Sequence, residues 1–380
     1  MSEEKVLMKG NEAIAEAAVR AGCGAYFGYP ITPQNELIAY MAKNMLERGR
    51  VFIQAESETA AINMVYGASC AGARAMTSSS SPGISLKQEG ISYAAGADVP
   101  CVIVNVVRGG PGLGSIAPAQ SDYFQSTRGG GHGDYHCIVL APKSVQECAD
   151  LTVLAFDLAD RYRIPVILQA DGMIGQMMEG VVLPPERPLS ELPKRDWIAG
   201  NMRERAGGKR VEAVHITSIN LVPAGLEAKT RARFARYEEI KAKETHFEYT
   251  GMPHGALEAS PHGSSDADLT LVAYGTSARV SLGAKMLAEE AGIKLSLFRP
   301  ISLWPFPFEA LAAVAANGKP FLVVEMSLGQ LVEDVNLSVL EAVRKNPGIA
   351  AAPVHLLGHS GGMIPTEEEV FAKAREIIGK

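Results

Sequence analysis

Short apolar runs alternate with helical patterns along the first half of the chain, and no other feature restricts the fold as strongly. The runs "VFIQ" (51–54) and "CVIVNVV" (101–107) have the length and composition of buried strands. Strands that alternate with helices in this way imply a parallel sheet with helices on both faces, and so an α/β fold class. The other predicted strands are 25–29, 73–78 and 164–169, and the predicted helices are 11–21, 33–46, 58–71 and 144–162.

A proline-rich and then charged stretch interrupts this pattern between residues 184 and 266. It contains one predicted charged helix, 224–246, and little other periodicity, which is typical of a connector. We therefore expect two α/β domains, 1–185 and 266–380, joined by a connector at 186–265 that crosses the surface. In the second domain the predicted strands are 268–274, 293–300, 321–326 and 353–357, and the predicted helices are 277–291, 308–316 and 330–344.

The composition favours a globular protein that binds neither nucleic acid nor a membrane. Of its 380 residues, 47% are hydrophobic and 21% are charged, and the formal net charge is -6. No Lys/Arg-rich run offers a local patch for nucleic acid, and no apolar run approaches the roughly 18 residues that a membrane span needs. The N-terminal segment lacks the basic and then apolar layout of a signal peptide, so we expect a cytoplasmic location.

The cysteine and glycine patterns argue against a metal cluster or a nucleotide cradle held by this chain alone. Its five cysteines stand singly, without a CxxC pair or a His/Cys cluster of metal-binding spacing. We expect them to be buried as small hydrophobic side chains. The glycine-rich stretches 108–115 and 128–135 lack the GxGxxG fingerprint, and no GxxxxGK[ST] sequence occurs.

The segment "YPITP" (29–33) places Thr32 in a loop that two prolines, Pro30 and Pro33, stiffen. Proline fixes its own φ angle and holds the preceding residue in extended geometry. From these residues alone, two interpretations remain open. Either Thr32 caps a helix that has Pro33 in its first turn, or the prolines hold the threonine hydroxyl group in place for a ligand.

Glu58 is the most informative acidic residue of the chain. On the helix predicted to begin near it, Glu58 shares a face with Ala61 and Ile62, which points toward the packed side. An unpaired carboxylate in a region of low dielectric costs several kcal/mol. The acid is therefore either a functional group or a first-turn residue stabilised by the helix N-terminus.

Six segments, taken together and in order, resemble one family. They are "GYPITP", "SETAAINMVYGASCAGARAMTSSSSPG", "VPCVIVNVVRGGPGLG", "LAPKSVQE", "IPVILQADG" and "VEMSLGQLVEDV". Over nearly its whole length the chain resembles the alpha subunit of 2-oxoacid:ferredoxin oxidoreductases. The stretch 110–136 is most similar to the branched-chain type, which acts on 2-oxoisovalerate.

The resemblance implies a pyrimidine-type thiamine-diphosphate-binding domain at 1–185 and a transketolase C-terminal-like domain at 266–380. Enzymes of this family decarboxylate a 2-oxoacid oxidatively on thiamine diphosphate, transfer the acyl group to coenzyme A and reduce an external ferredoxin. The family's GDG motif for the diphosphate and magnesium is missing here. The resemblance therefore implies a beta subunit that supplies that half of the cofactor site, and gamma and ferredoxin-like delta subunits. It also implies that the 4Fe-4S clusters lie on partner chains only.

The resemblance also assigns roles to individual residues. Glu58 matches the glutamate that faces N1′ of the aminopyrimidine ring and exchanges a proton with it, which assists loss of the thiazolium C2 proton. Thr32 and Arg108 match residues near the substrate carboxylate, which a guanidinium can bind through two hydrogen bonds. The expected substrate contacts are Thr32, Arg108, Tyr29 and Pro30, and the expected cofactor contacts are Glu58, Ile31 and Pro33.

Three alternatives remain open. A 2-oxoglutarate substrate would need a second cation for its distal carboxylate, and Arg128 or His132, in a loop of undetermined role from Arg128 to His136, are the candidates. A non-catalytic docking subunit would leave Glu58 without a catalytic role. A nicotinamide-dependent dehydrogenase is disfavoured because the chain has no dinucleotide fingerprint.

Overall fold

A computed structural model gives the fold of the chain and describes residues 4–193, 195–200, 202–204, 211–250 and 267–380. Residues 194, 201, 205–210 and 251–265 of the predicted connector, and residue 266 of the second predicted domain, lie outside the described residues. Among the residues that are described, no helix combines the length and the apolar character that crossing a membrane requires.

Strands and helices alternate through both halves of the chain, and one 3-10 turn, Leu189–Glu191, lies between them. The strands are β1 (Val6–Lys9), β2 (Ala25–Gly28), β3 (Val51–Gln54), β4 (Ala75–Ser79), β5 (Cys101–Val107), β6 (Ile138–Leu140), β7 (Pro165–Asp171), β8 (Met178–Val181), β9 (Met202–Glu204), β10 (Val211–Ala213), β11 (Phe247–Tyr249), β12 (Leu269–Val272), β13 (Leu295–Pro300), β14 (Ser302–Trp304), β15 (Phe321–Glu325) and β16 (Val354–Gly358). The helices are α1 (Gly10–Arg20), α2 (Asn35–Glu47), α3 (Glu58–Cys70), α4 (Ser81–Gly96), α5 (Tyr123–Thr127), α6 (Val145–Tyr162), α7 (Gly172–Gln176), α8 (Pro223–Lys243), α9 (Gly275–Glu290), α10 (Phe308–Ala315), α11 (Leu331–Lys345) and α12 (Glu367–Ile378).

Seven strands form the larger sheet, in the order β14-β6-β7-β5-β4-β2-β3. All neighbouring pairs are parallel except β14 and β6. The central strand β5 is buried along its whole length. Its side chains do not alternate between apolar and polar because both faces of the sheet are covered. The parallel α/β sheet predicted from the sequence is thus confirmed.

The second sheet has five strands in the order β11-β13-β12-β15-β16, with only β11 antiparallel to its neighbour. Strand β11 lies before residue 266, inside the predicted connector, whereas β14 comes from the second predicted domain and pairs with β6 of the larger sheet. The predicted charged helix is present as α8. The sheets do not divide at one point of the chain, and the domain boundaries stay a prediction.

The start of α2 differs from the sequence prediction. The helix begins at Asn35 with Gln34 as its N-cap residue, not at Pro33 with Thr32 as the cap. The backbone N–H of Gln34 donates to the carbonyl of Ile31 at 3.1 Å, so a tight turn encloses Thr32 and Pro33 before the helix starts. The interpretation of Thr32 as a helix cap is therefore wrong, and its hydroxyl group is not occupied by a backbone N–H of α2.

Two buried polar side chains, Asp171 and Gln120, form hydrogen bonds that join the two sheets. Asp171, at the end of β7, accepts hydrogen bonds from the backbone N–H (2.8 Å) and the hydroxyl group (2.6 Å) of Thr276. Gln120 donates to the carbonyl of Tyr274 at 2.8 Å and accepts from the backbone N–H of Met326 at 3.0 Å. The chain that follows β5 is thereby fixed against the second sheet.

Helix α4 is the main element that the sequence prediction missed. It packs against α3 through two glycines on one face. A Cβ atom on Gly83 would lie 2.7 Å from Oε1 of Glu58, and a Cβ atom on Gly90 would lie 2.5 Å from Cγ2 of Ile62. Real Cβ atoms do not come so close to other atoms, so only glycine permits this approach of the two helices.

We expect Gly90→Ala to lower the free energy of unfolding by about 1–3 kcal/mol, because the new methyl group must displace the buried Ile62. The control is Gly67→Ala on α3, where a Cβ atom would meet no other atom within 4 Å. That substitution should leave stability unchanged or raise it by up to about 1 kcal/mol through helix propensity. Urea denaturation measures both values, and equal effects at the two positions would contradict the packing described for α4.

Candidate functional site

The carboxyl ends of β2, β4 and β5 lie at one edge of the larger sheet, because these strands are parallel neighbours. The loop 29–34 follows β2, helix α4 follows β4, and Arg108 follows β5 directly. Glu58 begins α3, which follows the adjacent strand β3. Open α/β sheets bind their ligands at this edge. These residues form the candidate site.

Hydrogen bonds from the protein interior fix the loop 29–34. The buried side chain of Gln34 donates to the carbonyl of Tyr29 at 3.3 Å and accepts from the hydroxyl group of Ser78 at 2.5 Å. The carbonyl of Pro33 accepts a hydrogen bond from the Asn11 amide at 2.8 Å. The loop is therefore held by hydrogen bonds from the protein interior as well as stiffened by its prolines. This reduces the conformational entropy that the loop loses when a ligand binds there.

Thr32 presents both of its oxygen atoms to defined neighbours. Its carbonyl accepts a hydrogen bond from Nη1 of Arg108 at 2.9 Å, and its Oγ1 accepts one from Nδ2 of Asn35 at 3.1 Å. Because Oγ1 acts as the acceptor in that contact, the threonine keeps its own hydroxyl proton to donate. The structure thus places Thr32 and Arg108, both predicted substrate contacts, directly together.

Arg108 is a buried cation without a paired anion. Only 8% of the residue is exposed, and besides Thr32 its guanidinium donates to the carbonyl of Leu113 at 3.0 Å. Its Nε is buried without a hydrogen-bond partner, and no carboxylate of the described residues forms an ion pair with it. A guanidinium that is held by two neutral carbonyls keeps its positive charge available for a carboxylate ligand.

Glu58 is buried, with 6% of the residue exposed, at the first position of α3. Ser57 caps the helix by accepting from the backbone N–H of Ala60 at 3.2 Å, so the Glu58 side chain is not needed as a cap. Its carboxyl group accepts no hydrogen bond within the described part of the chain. A Cβ atom at Gly83 would lie 2.7 Å from Oε1 of Glu58 and 2.1 Å from Oγ of Ser79, so both side chains lie against Gly83.

The first turn of α4 lies between two sets of predicted site residues: Thr32 and Arg108 on one side, and Glu58 on the other. The hydroxyl group of Ser81 accepts from the backbone N–H of Arg108 at 3.0 Å and donates to its carbonyl, at 3.2 Å. Two residues later, Gly83 lies against Glu58. The sequence carried one signal for this helix start, Pro82 after four serines, since proline is common in the first turn of a helix. The structure thus brings Thr32, Arg108 and Glu58 around one helix terminus.

The other predicted site residues differ in exposure. Tyr29 and Pro30 are exposed, Ile31 is half-buried and Pro33 is buried. A Cβ atom at Gly172 would lie 3.3 Å from Cγ of Pro33, so the Pro33 ring packs against the start of α7. The exposed pair is placed to meet a ligand, and Pro33 supports the loop from within.

The loop from Arg128 to His136 has structural contacts. Arg128 forms an ion pair with the buried Asp334 at 2.7 Å. This ion pair joins α5 to α11. The ring of His136 stacks on Trp304 with 4.7 Å between centroids, and burial lowers the pKa of His136. His132 is exposed.

Lys87 is an unpredicted charged residue next to the site. It is fully buried on α4, and its ammonium group donates to the backbone carbonyl of Glu58 at 3.3 Å. Burial lowers the pKa of Lys87 to about 8, and the negative charge of Glu58 opposes that shift. Lys87 forms no direct ion pair with any residue that the structure describes.

The cysteines are all unpaired; four are buried and Cys70 is half-buried. Burial raises the pKa of Cys23 and of Cys101 to about 12, so these thiols are poor ligands for a metal. Within the described ranges no group of three or more His, Cys, Asp or Glu side chains is placed to hold a metal ion.

Comparisons with known proteins identify the family. The sequence model described as pyruvate flavodoxin/ferredoxin oxidoreductase, thiamine diphosphate-binding, matches residues 16–245. The model of the pyruvate:ferredoxin oxidoreductase core domain II matches residues 267–370. The chain belongs to the 2-oxoacid:ferredoxin oxidoreductase family. The resemblance found in the sequence is thereby confirmed.

Two relatives illustrate the similarity within this family. The ketoisovalerate oxidoreductase subunit VorB of Methanothermobacter marburgensis is 44% identical over 98% of this chain and 98% of its own length. The 2-oxoglutarate synthase subunit KorA of Archaeoglobus fulgidus is 39% identical over 87% of this chain and 91% of its own length. The higher identity and fuller coverage belong to the ketoisovalerate subunit.

Solved structures agree with the fold. The 2-oxoglutarate:ferredoxin oxidoreductase of Magnetococcus marinus, with 2-oxoglutarate, coenzyme A and succinyl-CoA bound, is 28% identical and superposes with a TM-score of 0.80. The match covers 99% of this chain and 66% of that one, so this chain spans about two thirds of that relative. A split-gene transketolase is 14% identical with a TM-score of 0.57, over 98% of both chains, and shows the shared fold alone.

Lys87 should give the protein a measurable pH dependence of stability. Its pKa is about 8 in the folded chain against an ordinary value of 10.5, so the folded state binds fewer protons between these values. The contribution of Lys87 to stability therefore rises with pH across this window and is lost as the pH falls through 8. We expect Lys87→Met to have a higher free energy of unfolding than the wild type, and this difference should be about 3 kcal/mol larger at pH 7 than at pH 10.5. Urea denaturation across this range measures the difference, and a difference independent of pH would contradict the burial of a charged Lys87.

Proposed function

We propose that this chain is the alpha subunit of an enzyme that oxidatively decarboxylates the branched-chain 2-oxoacid 2-oxoisovalerate, with ferredoxin as electron acceptor and coenzyme A as acyl acceptor. The observation that carries the proposal is the unpaired Arg108 guanidinium beside Thr32, with the buried Glu58 on the other side of the first turn of α4. Two ketoisovalerate oxidoreductase subunits among the relatives support the substrate. The solved relative with bound coenzyme A supports the acyl acceptor.

The residues around Glu58 fit the aminopyrimidine half of thiamine diphosphate. Glu58 is a buried residue whose carboxyl group forms no hydrogen bond in the described structure, and the hydroxyl groups of Ser79 and Ser80 are buried there with no partner. Buried polar groups are normally hydrogen-bonded, and an aminopyrimidine carries both donors and acceptors that would satisfy them. When bound, thiamine diphosphate supplies the carbanion chemistry of decarboxylation.

In this proposal Glu58 takes up and returns a proton at its carboxyl oxygens. Glu58 lies buried at the first residue of α3, and no group of the described structure forms a hydrogen bond with its carboxyl oxygens, so they are available for proton exchange. The close contact with Gly83 restricts the side chain to the space beside α4, so the proton is exchanged at a fixed position.

Arg108 and Thr32 bind the carboxylate of the 2-oxoacid in the proposed enzyme. The guanidinium supplies the charge, and the threonine supplies a hydroxyl proton from a neighbouring position. Both are held before the ligand arrives, one by two carbonyls and the other by the fixed loop. A carboxylate clamped in this way keeps its orientation until carbon dioxide leaves.

A branched-chain substrate suits the surroundings of Arg108 better than a dicarboxylate does. The exposed apolar side chain of Leu113 belongs to the residue whose carbonyl Arg108 contacts, and Tyr29 is exposed on the neighbouring loop. Arg128, which was a candidate cation for a distal carboxylate, is paired with Asp334. The relatives named 2-oxoglutarate synthase subunits make that substrate the second candidate.

The proposed enzyme needs partner chains. The missing GDG motif supports a beta subunit that binds the diphosphate and its magnesium. The missing cluster-binding cysteine pattern supports 4Fe-4S clusters on partner chains only, and the proposed partners include gamma and ferredoxin-like delta subunits. External ferredoxin then accepts the electrons. We place the assembled enzyme in the cytoplasm.

Glu58→Gln should lower the kcat of the assembled complex roughly 100-fold or more, because the amide cannot exchange the proton that the acid provides. The assay is coenzyme-A-dependent reduction of methyl viologen with 2-oxoisovalerate. The matched control is Glu56→Gln, an exposed acid two residues away, which should retain full activity. Nearly wild-type turnover of Glu58→Gln would support a docking subunit without a catalytic role.

Substrate choice is tested by the same assay on the native complex with 2-oxoisovalerate, 2-oxoglutarate and pyruvate. We expect kcat/KM to be highest for 2-oxoisovalerate, because a second carboxylate would find no free partner in Arg128. Equal values for the three acids, or a preference for 2-oxoglutarate, would contradict the proposed substrate.

A further inference from the structure

Lys87 occupies a space between α3 and α4 that small residues create. It lies on α4 four residues after Gly83 and three before Gly90, so the three share the face that packs against α3. None of the lysine is exposed to solvent. Lysine is almost never fully buried without a charged partner, and the position therefore requires an explanation.

The local electrostatics disfavour a positive charge at this position. The ammonium group lies beside the first residue of α3, and a helix N-terminus carries a partial positive charge. Its one hydrogen bond to a described residue, with the Glu58 carbonyl at 3.3 Å, is made to a neutral acceptor. A methionine would fill the space without either cost, so stability does not account for the lysine.

Among the residues that the structure describes, Glu58 supplies the one favourable charge that acts on Lys87. On α3 the ammonium group lies 3.3 Å from the backbone carbonyl of Glu58, and Glu58 is the residue whose charge acts on it. Within the described chain, no other titratable group contributes to the proton affinity of Lys87. The Coulomb interaction is mutual, so a positive charge on Lys87 acts in return on the Glu58 carboxyl group.

We propose that Lys87 is a positioning residue for Glu58, which holds the first turn of α3 through the Glu58 carbonyl and keeps a positive charge beside the Glu58 carboxyl group. The charge favours the carboxylate, and thereby sets the pH range over which Glu58 can accept a proton. The inference rests on the proposed function, since it gives Lys87 a role only if Glu58 exchanges a proton with the cofactor. Lys87 itself touches neither substrate nor cofactor, because it has no exposed surface.

The first test measures proton uptake when thiamine diphosphate binds to the cofactor-free complex. Isothermal titration calorimetry in buffers of different ionisation enthalpy gives the number of protons taken up at each pH. For the wild type we expect proton uptake to rise with pH. In Lys87→Met the midpoint of that rise should move upward by about one pH unit, which corresponds to a tenfold change in proton affinity.

The second test follows kcat/KM for 2-oxoisovalerate against pH in the same variants. Lys87→Met should shift the acid limb upward by about one unit and lower kcat/KM about tenfold on that limb, with KM changed less than twofold. Lys87→Arg, which keeps the charge, should lie nearer to the wild type in both measurements. The control for net charge is Lys43→Met, an exposed residue of α2, which should match the wild type.

The outcomes separate the two proposals. If Glu58→Gln abolishes turnover while Lys87→Met keeps the wild-type midpoint and acid limb, the role of Lys87 is overturned and the proposed function stands. If Glu58→Gln remains active, both proposals are overturned. If Lys87→Met and Lys87→Arg shift the midpoint equally, the effect is one of packing, and the inference about charge is wrong.

Discussion

The close approach of α3 and α4 is the constraint on which the site depends. Gly83 and Gly90 allow the helices to touch, and the first turn of α4 then lies between Glu58 on one side and Arg108 on the other. A larger residue at Gly83 would occupy the space of the Glu58 carboxyl group. The geometry of the acid and the cation is therefore set by packing between helices and not by contacts between the two charged groups.

The site combines several groups that cost stability. Arg108 and Lys87 are buried cations without an ion pair in the described structure, and Glu58 is a buried acid without a hydrogen bond. The extensive core beneath them, which runs continuously from the larger sheet into the second sheet, offsets these costs. Functional sites commonly retain such unfavourable groups, because stability is not the property for which they are selected.

The sequence predicted the repetitive elements of the fold better than the elements that build the site. Strands β3 and β5 lie where their apolar runs predict, because a buried parallel strand requires such a run. Helix α4 was missed because its glycines and serines, which suit close packing against α3, weaken the helical pattern. Strand β14 has three residues, and its pairing with β6 depends on contacts across the chain that local sequence does not encode.

The candidate residues were predicted to different degrees. The inward direction of Glu58 followed from helical periodicity and is present in the structure. Thr32 was placed correctly in a stiff loop, but the turn that closes before α2 excludes its role as a helix cap. Lys87 gave no signal at all, because a single lysine in a helix is normally a surface residue. Only the position of α4 showed that it is buried beside the acid.

The most direct measurement of the central claim is a high-resolution structure of the assembled complex with thiamine diphosphate and an unreactive 2-oxoacid analogue. The account predicts a Glu58 carboxyl oxygen within hydrogen-bond distance, about 3 Å, of N1′ of the aminopyrimidine ring. It also predicts that the analogue's carboxylate contacts both Arg108 and Thr32. A cofactor ring seated away from Glu58, or an analogue bound elsewhere than at Arg108, would contradict it.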